Sequence, residues 1–481
     1  MAVRKRFCLL FSSLILGGCA FMHDEPAQVQ PLPAEQVQLS QVIHLADSQW
    51  PAARWWEAYQ DPQLSSFIVL GLANSPRLQA AKLRIQQSQS SVEAAQSISG
   101  VQATAIAAQN RMRVSNRQTT WPYSISLPTD KRGPWYTLST VGVGADLNID
   151  LWGANRAGVA AAMGEKNAQL AETAGIQLDI ATSIAQLYFS IQGNYQREAL
   201  LSQQAEIAAF SLAAHQQRAA RGLEDKVNIA EAQSEEYSAQ QQLIDVRTRI
   251  MRDRETLRAL IGMSGTQQLV IAKQPWPQLQ QHLPASLSFD LLARRPDLQA
   301  LRYYVQASLS RVDAAKAAFY PHFDIKAFWG YNALNVGDLF KHSFQQLNIL
   351  PGLYLPLFDG GRLNANLRSV RTASNILIKN YNQAVLDAVR DVAISSQQLD
   401  ALNHQVALQQ QKVEAAQLTT DSAQAHYQRG LTSRYLAQEA RRATLSQQLL
   451  LVDLRTAQMS SDLLVIKALG GGYQGESPPL K

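Results

Sequence analysis

The chain says nearly the same thing twice. SPRLQAAK at Ser75 returns as RPDLQALR at Arg295, and SSVEAAQ at Ser90 returns as SRVDAAK at Ser310. LWGANR, ending at Arg156, returns as LFDGGR, ending at Arg362, and RGLEDKV at Arg221 returns as RGLTSRY at Arg429. ALIG, ending at Gly262, returns as KALG, ending at Gly470. The copies lie 220, then 206, then 208 residues apart, so order is kept while connections change length. A duplication this long restricts the fold to two similar halves, whatever either half turns out to be.

Proline placement shows what each half contains. None of the 18 prolines falls between Pro134 and Pro275, or between Pro356 and Pro478. Proline breaks helix interiors, so two such gaps rich in Ala, Gln, Leu, Glu and Arg predict long helices. In the second gap Val385, Val389, Val392, Leu399, Val406 and Val413 recur at steps of 4, 3, 7, 7 and 7. That is the heptad spacing of coiled-coil packing. Gly222 and Gly430 sit where a helix terminus favours glycine, and Asp225 and Ser433 are suited to cap a returning helix. Each half therefore reads as a long helix, a tight turn and a shorter helix back.

Upstream of each long helix the period changes to two. Val141, Val143, Ala145, Leu147 and Ile149 alternate with glycines, Asp146 and Asn148; Phe323, Ile325, Ala327 and Trp329 alternate with Asp324 and Lys326. Such alternation predicts strands with one apolar face, of a length suited to a membrane strand. Trp121, Trp135, Trp329 and Tyr331 fall near strand ends. Four strands cannot close a barrel with a lumen, so their edges must meet other subunits. A small soluble sheet is the competing reading.

The expected first half is residues 61–262, with helices at 75–99, 153–220 and 225–262 and strands at 100–110 and 136–151. The second is 295–470, with helices at 295–318, 361–428 and 432–469 and strands at 320–331 and 344–357. Residues 19–60 read as a tether, 263–294 as a linker forming an irregular belt, and 471–481 as a mobile tail.

The first 18 residues read as an export signal: Arg4-Lys5-Arg6, then FCLLFSSLIL, then Leu16-Gly17-Gly18-Cys19. Leu-Gly-Gly-Cys resembles a lipoprotein processing site, which makes Cys19 the lipidation candidate; an ordinary signal with an incidental cysteine is the alternative. Cys8 leaves with the signal, so a lipidated chain has no free thiol for a disulfide or a cysteine-based metal site. Past the signal, 41 basic residues face 38 acidic ones with no basic block, which argues against nucleic acid. No phosphate-loop lysine motif, HExxH or GxSxG is present, and the eight histidines, His215 among them, are scattered. The expectation is no enzyme, no cofactor and no metal.

LLARRPDLQALRYYVQASLSRVDAAKAAFYPHFDIKAF, LPLFDGGRLNANL, YQRGLTSR and ALGGGY together resemble the TolC-like outer-membrane efflux factors, in their NodT-type lipoprotein branch. The resemblance implies a homotrimer with a 12-stranded outer-membrane β-barrel on a periplasmic α-barrel. It also implies a periplasmic adaptor and an inner-membrane pump as partners. The function implied is an exit duct for drugs or other toxic small molecules. Polypeptide export shares the same duct, and a structural coiled-coil lipoprotein or adhesin is the reading from another class. By resemblance the turns meet the adaptor, so Gly222, Leu223, Gly430 and Leu431 are docking candidates. Arg221, Asn228, Glu231, Arg429, Arg434 and Glu439 are candidates for the periplasmic aperture, with Glu231 and Glu439 at equivalent positions 208 apart.

Overall fold

The structure, a computed structural model, describes residues 27–32, 50–112, 135–279 and 294–475. In chain order the elements are α1 (Pro62–Asn74), α2 (Pro76–Ser97), β1 (Gln102–Met112), β2 (Tyr136–Ile149), α3 (Ala154–Ala220) and α4 (Lys226–Leu260). The second half follows as α5 (Pro296–Ala317), β3 (His322–Ala333), β4 (Gln345–Tyr354), α6 (Arg362–Gln428) and α7 (Arg434–Ala468). The repeat is metrically close. α3 and α6 each have 67 residues, α4 and α7 each have 35, and α2 and α5 each have 22. At 1.5 Å per residue the two long helices are each about 100 Å long.

The described residues form two compact units, one built from 86–167 and 303–379 with the start of the chain, the other from 31–85, 168–302 and 380–481. The first holds an antiparallel sheet in the order β1-β2-β3-β4. Its register places apolar residues opposite apolar ones: Val141 faces Tyr331, Val143 faces Trp329, Leu147 faces Ile325 and Ile149 faces Phe323. The same face continues to β4, where Leu347 faces Trp329, Ile349 faces Ala327 and Leu353 faces Phe323. On the opposite face Asp146 lies across from Lys326 and Asn148 across from Asp324. A one-residue slip would exchange the two faces, so the pattern fixes the register. Gly142 and Gly330 are directly opposed, and a Cβ on Gly330 would lie 2.5 Å from the Gly142 Cα.

Where the strands meet the helices, exposed aromatic residues collect. The Trp152 ring stacks on Tyr320 with centroids 4.9 Å apart, and its Nε1 donates to the Pro321 carbonyl at 2.8 Å. Phe358, just before α6, is 93% exposed. Amphipathic rings at such a level suit a membrane–water interface. Trp121 lies outside the described residues.

The second unit contains the larger core, and here two expectations are corrected. The segment read as a tether does not stay outside: Trp55, Trp56 and Tyr59 lie on a 3₁₀ turn and are buried. They pack with Phe67 and Ile68 of α1, Ile184, Tyr188 and Phe189 of α3, Leu257 of α4 and Leu463 of α7. Fully burying such side chains contributes about 1.5–3 kcal/mol each, which outweighs the irregular backbone they sit on. Asp61 caps α1, accepting from the Gln63 and Leu64 amides at 2.9 and 3.1 Å, and also accepts from the Tyr188 hydroxyl at 2.6 Å. Beneath it the Tyr59 hydroxyl donates to Asp462. The start of the expected mobile tail is also packed. Gly470, Gly471 and Gly472 all have positive φ, and a Cβ on Gly472 would collide with the Ala52 carbonyl at 2.2 Å.

The heptad on α6 is present with one displaced member. Val385, Ala388, Val392, Ser395, Leu399 and Leu402 are buried, at alternating steps of three and four. Val389 is only half-buried, because the 3.5-residue seam passes through Ala388 instead.

Candidate functional site at the hairpin turns

Both turns use one backbone solution. Gly222 and Gly430 have φ of 72° and 74°, the left-handed region that ends a helix without Cβ strain. Leu223 N–H reaches back to the Arg218 carbonyl at 3.0 Å, and Leu431 N–H to the His426 carbonyl at 2.9 Å. Asp225 then caps α4 through the Val227 and Asn228 amides, both at 3.0 Å, and Ser433 caps α7 through Leu436 N–H at 3.4 Å. The two leucines that follow the glycines have little to pack on. Leu223 is 67% and Leu431 70% exposed. Arg221 and Arg429 are exposed beside them. Each turn therefore presents an apolar side chain next to a cation at the far end of a helical hairpin.

Behind the turns the two halves diverge. Glu224 folds under the first turn, where its carboxylate is 6% exposed. His215 Nδ1 lies 2.8 Å from its Oε1, Asn228 Nδ2 donates to the same oxygen at 3.2 Å, and Arg218 Nε stands 3.5 Å from Oε2. The Tyr435 ring of α7 meets the His215 ring edge-on at 5.5 Å. Arg434, also on α7, sets its guanidinium 4.6 Å from the Phe210 ring centroid on α3. Further along, Arg442 of α7 holds Glu439 at 2.9 Å with one nitrogen and Glu235 of α4 at 2.6 Å with another. These groups border a groove of about 530 Å³ lined by Gln204, Glu235, Gln242, Glu439, Arg442 and Ser446, among others.

The candidates named from sequence thus have different surroundings. Asn228 and Arg434 join the contacts behind the first turn, Glu439 is taken up by Arg442, and Glu231 is exposed. Equivalence in the repeat does not make Glu231 and Glu439 equivalent in space. Cys19 lies outside the described residues. Sequence reading missed Glu224, His215, Tyr435, Arg442 and Glu235. His215 and Glu224 are nine positions apart, a spacing that means nothing along one helix and becomes a contact only when the turn folds the chain back.

The family description "Outer membrane efflux protein" fits residues 68–263 and 287–471, once per half of the chain. The multidrug resistance outer membrane protein MdtP of Escherichia coli (strain K12) is 46% identical over 467 residues, covering 97% of this chain and 96% of that protein. MdtQ of Escherichia coli O157:H7 is 36% identical over 463 residues, 96% of each. Among solved structures, the outer membrane protein VceC of Vibrio cholerae superposes with a TM-score of 0.75 at 29% identity, over 89% of this chain and all of that one. The Campylobacter jejuni CmeC outer membrane channel shares the fold, with a TM-score of 0.81 at 18% identity over 94% of this chain and 96% of that one. The chain belongs to the outer membrane efflux protein family and is an outer-membrane efflux channel.

Proposed function

We propose that this channel is the exit duct of a tripartite efflux system and works as a homotrimer anchored by lipid at Cys19. The observation that carries the reading is the open sheet: among the described residues β1 and β4 each pair on one side only, and β4 exposes Leu347, Ile349 and Leu353. Unpaired strand edges are not tolerated in lipid, so each β4 edge must meet the β1 edge of another copy. Three copies give about 12 strands, within the range of membrane barrels that enclose a lumen. Gly222, Leu223, Gly430 and Leu431 offer the adaptor a pair of matched apolar tips, with Arg221 and Arg429 beside them.

The MdtP and MdtQ relatives are named multidrug resistance outer membrane proteins, and we extend that role to this chain as passage of toxic small molecules supplied by an inner-membrane pump. The duct itself carries no catalytic step. The test has two arms. Purified protein reconstituted in planar bilayers conducts ions, and a deletion strain becomes more sensitive to several unrelated toxic compounds. Insertion without conductance, together with unchanged sensitivity, would leave only a structural envelope role.

A further inference from the structure

The second unit contains a cavity of about 690 Å³ that the hairpin turns do not use. α3, α6, the end of α7 and the start of α5 meet around it. Its apolar wall includes Ile176, Pro296, Ile394 and Leu464, and Ile394 and Leu464 remain exposed. Beside that wall stand four carboxylates, Glu172, Asp179, Asp297 and Asp391, against two cations, Arg295 and Lys467. Both cations are already committed. Arg295 Nη2 lies 2.6 Å from Asp297 and its Nη1 3.8 Å from Asp391, while Lys467 Nζ is 2.8 Å from Asp179. Arg77 and Arg390 reach Asp179 and Asp391 from outside the lining, but both are more than half exposed, so water screens them. The lining itself therefore carries an excess of negative charge. Gly175 keeps the space open: a Cβ there would make only an ordinary contact with Pro296, at 3.8 Å.

α3 shows which way the cavity faces. Glu172, Gly175 and Asp179 line it. Ala174, Gln177 and Ala181, each two residues further on, border a smaller space of about 390 Å³ against Trp55, Trp56 and the turn at Gly470, Gly471 and Gly472. Two residues turn a helix by about 200°, so these irregular segments and the large cavity lie on opposite sides of α3. Irregular segments on the inner side would obstruct the passage. They are therefore outside, and the cavity opens on the bore. We infer that it is a binding site in the duct wall for amphipathic organic cations, one per chain. This rests on the reading of the protein as an exit duct and names the class of cargo that the wall favours. The volume falls within the roughly 300–1,000 Å³ of small-molecule sites. The apolar body of the solute rests on Ile176, Ile394 and Leu464, and its charge meets the carboxylates, whose field the low-dielectric walls concentrate. Organic anions of the same size meet repulsion there.

The experiment is equilibrium binding to the purified full-length channel. Ethidium serves as a planar organic cation, and 8-anilinonaphthalene-1-sulfonate as an anion of similar size. Ethidium is expected to saturate at one per chain, with the sulfonate at least ten-fold weaker. Gly175→Leu fills the cavity without touching a charge and raises the ethidium Kd at least ten-fold. Asp391→Asn raises it about three- to ten-fold and narrows the preference over the sulfonate. If Gly175→Leu does not assemble, Asp391→Asn carries the test alone. Equal affinity for the two dyes, or an ethidium Kd unchanged in the assembled variants, overturns the proposal. Conductance of the same wild-type preparation in planar bilayers keeps the two readings apart. A conducting channel without an ethidium site loses only this proposal, whereas a protein that inserts and does not conduct loses the duct reading as well.

Discussion

Arg442 on α7 reaches Glu235 on α4, with Nη1 and Oε2 2.6 Å apart, so the two returning helices of the repeat are joined by an ion pair. Its second nitrogen holds Glu439 on its own helix, which fixes the guanidinium for the longer reach. If the aperture opens by separating the hairpins, this contact has to break. Both side chains are more than a third exposed, at 38% and 51%, which keeps the pair in the range of about 0.2–1 kcal/mol. Arg442→Met is therefore expected to raise the open fraction two- to five-fold per subunit, with Glu235→Gln doing the same. Single-channel recording reads this directly, and an unchanged open fraction in both variants rules out Arg442 as a tie.

The carboxylate of Glu224 behaves differently because it is buried. His215, Asn228 and Arg218 surround it, and loss of His215 leaves an oxygen without its nearest partner. That oxygen keeps the longer bond from Asn228, so the loss is of one hydrogen bond to a charged group, about 1.5–3 kcal/mol. His215→Ala should loosen the first turn alone, seen as trypsin cutting after Arg221 about ten-fold faster while cleavage after Arg429 is unchanged. Equal acceleration at both sites would mean general unfolding instead.

Asp462 is buried under the Tyr59 hydroxyl, and that burial raises its carboxyl to about 6, against the smaller opposing pull of the hydrogen bond. Burial also raises Tyr59, so the phenol stays the donor. Between about pH 4 and 6 the folded protein binds a proton that the unfolded chain has released. Stability from this group therefore falls as pH rises through that window and is level above it. Asp462→Asn, which still accepts from Tyr59, removes this share of the slope. Thermal melts of both proteins from pH 4 to 7 check it; parallel curves would falsify the assignment.

In the sheet, Gly330→Ala places a methyl 2.4 Å from the Val141 carbonyl and 2.5 Å from the Gly142 Cα. Both contacts are backbone atoms, which cannot swing aside as a side-chain end can. The variant is expected to push β2 and β3 apart and lower the yield of assembled channel several-fold, as measured by the heat-resistant oligomer on gels. Gly144→Ala is the control, because the contact nearest its new Cβ is the end of the Ile106 side chain at 3.3 Å.

What the sequence disclosed follows from periodicity. Long helices and strands repeat a pattern over many residues, so the proline-free stretches and the alternation of Val141 to Ile149 were sufficient to find them. The 3₁₀ turn at Trp55–Tyr59 repeats nothing. Five residues are too few to show a period, and only the pocket formed by α1, α3, α4 and α7 makes their aromatic side chains core. Gly470 to Gly472 misled for the same reason: glycine reads as freedom until one sees the Ala52 carbonyl where a Cβ would go. At the site, the glycine turns and their caps were local and legible. The Glu224 cluster and the Arg442 bridge join residues that are close only after the chain reverses.

The matched helix lengths carry a constraint of their own. With 67 and 35 residues in both halves, an insertion in one hairpin would leave one turn standing proud of the other. Length differs instead around the strands: 23 residues join β1 to β2 against 11 from β3 to β4, and four join β2 to α3 against seven from β4 to α6. An engineer wishing to lengthen this protein should therefore add whole heptads to all four rods at once, and can splice more freely in the connections around the strands.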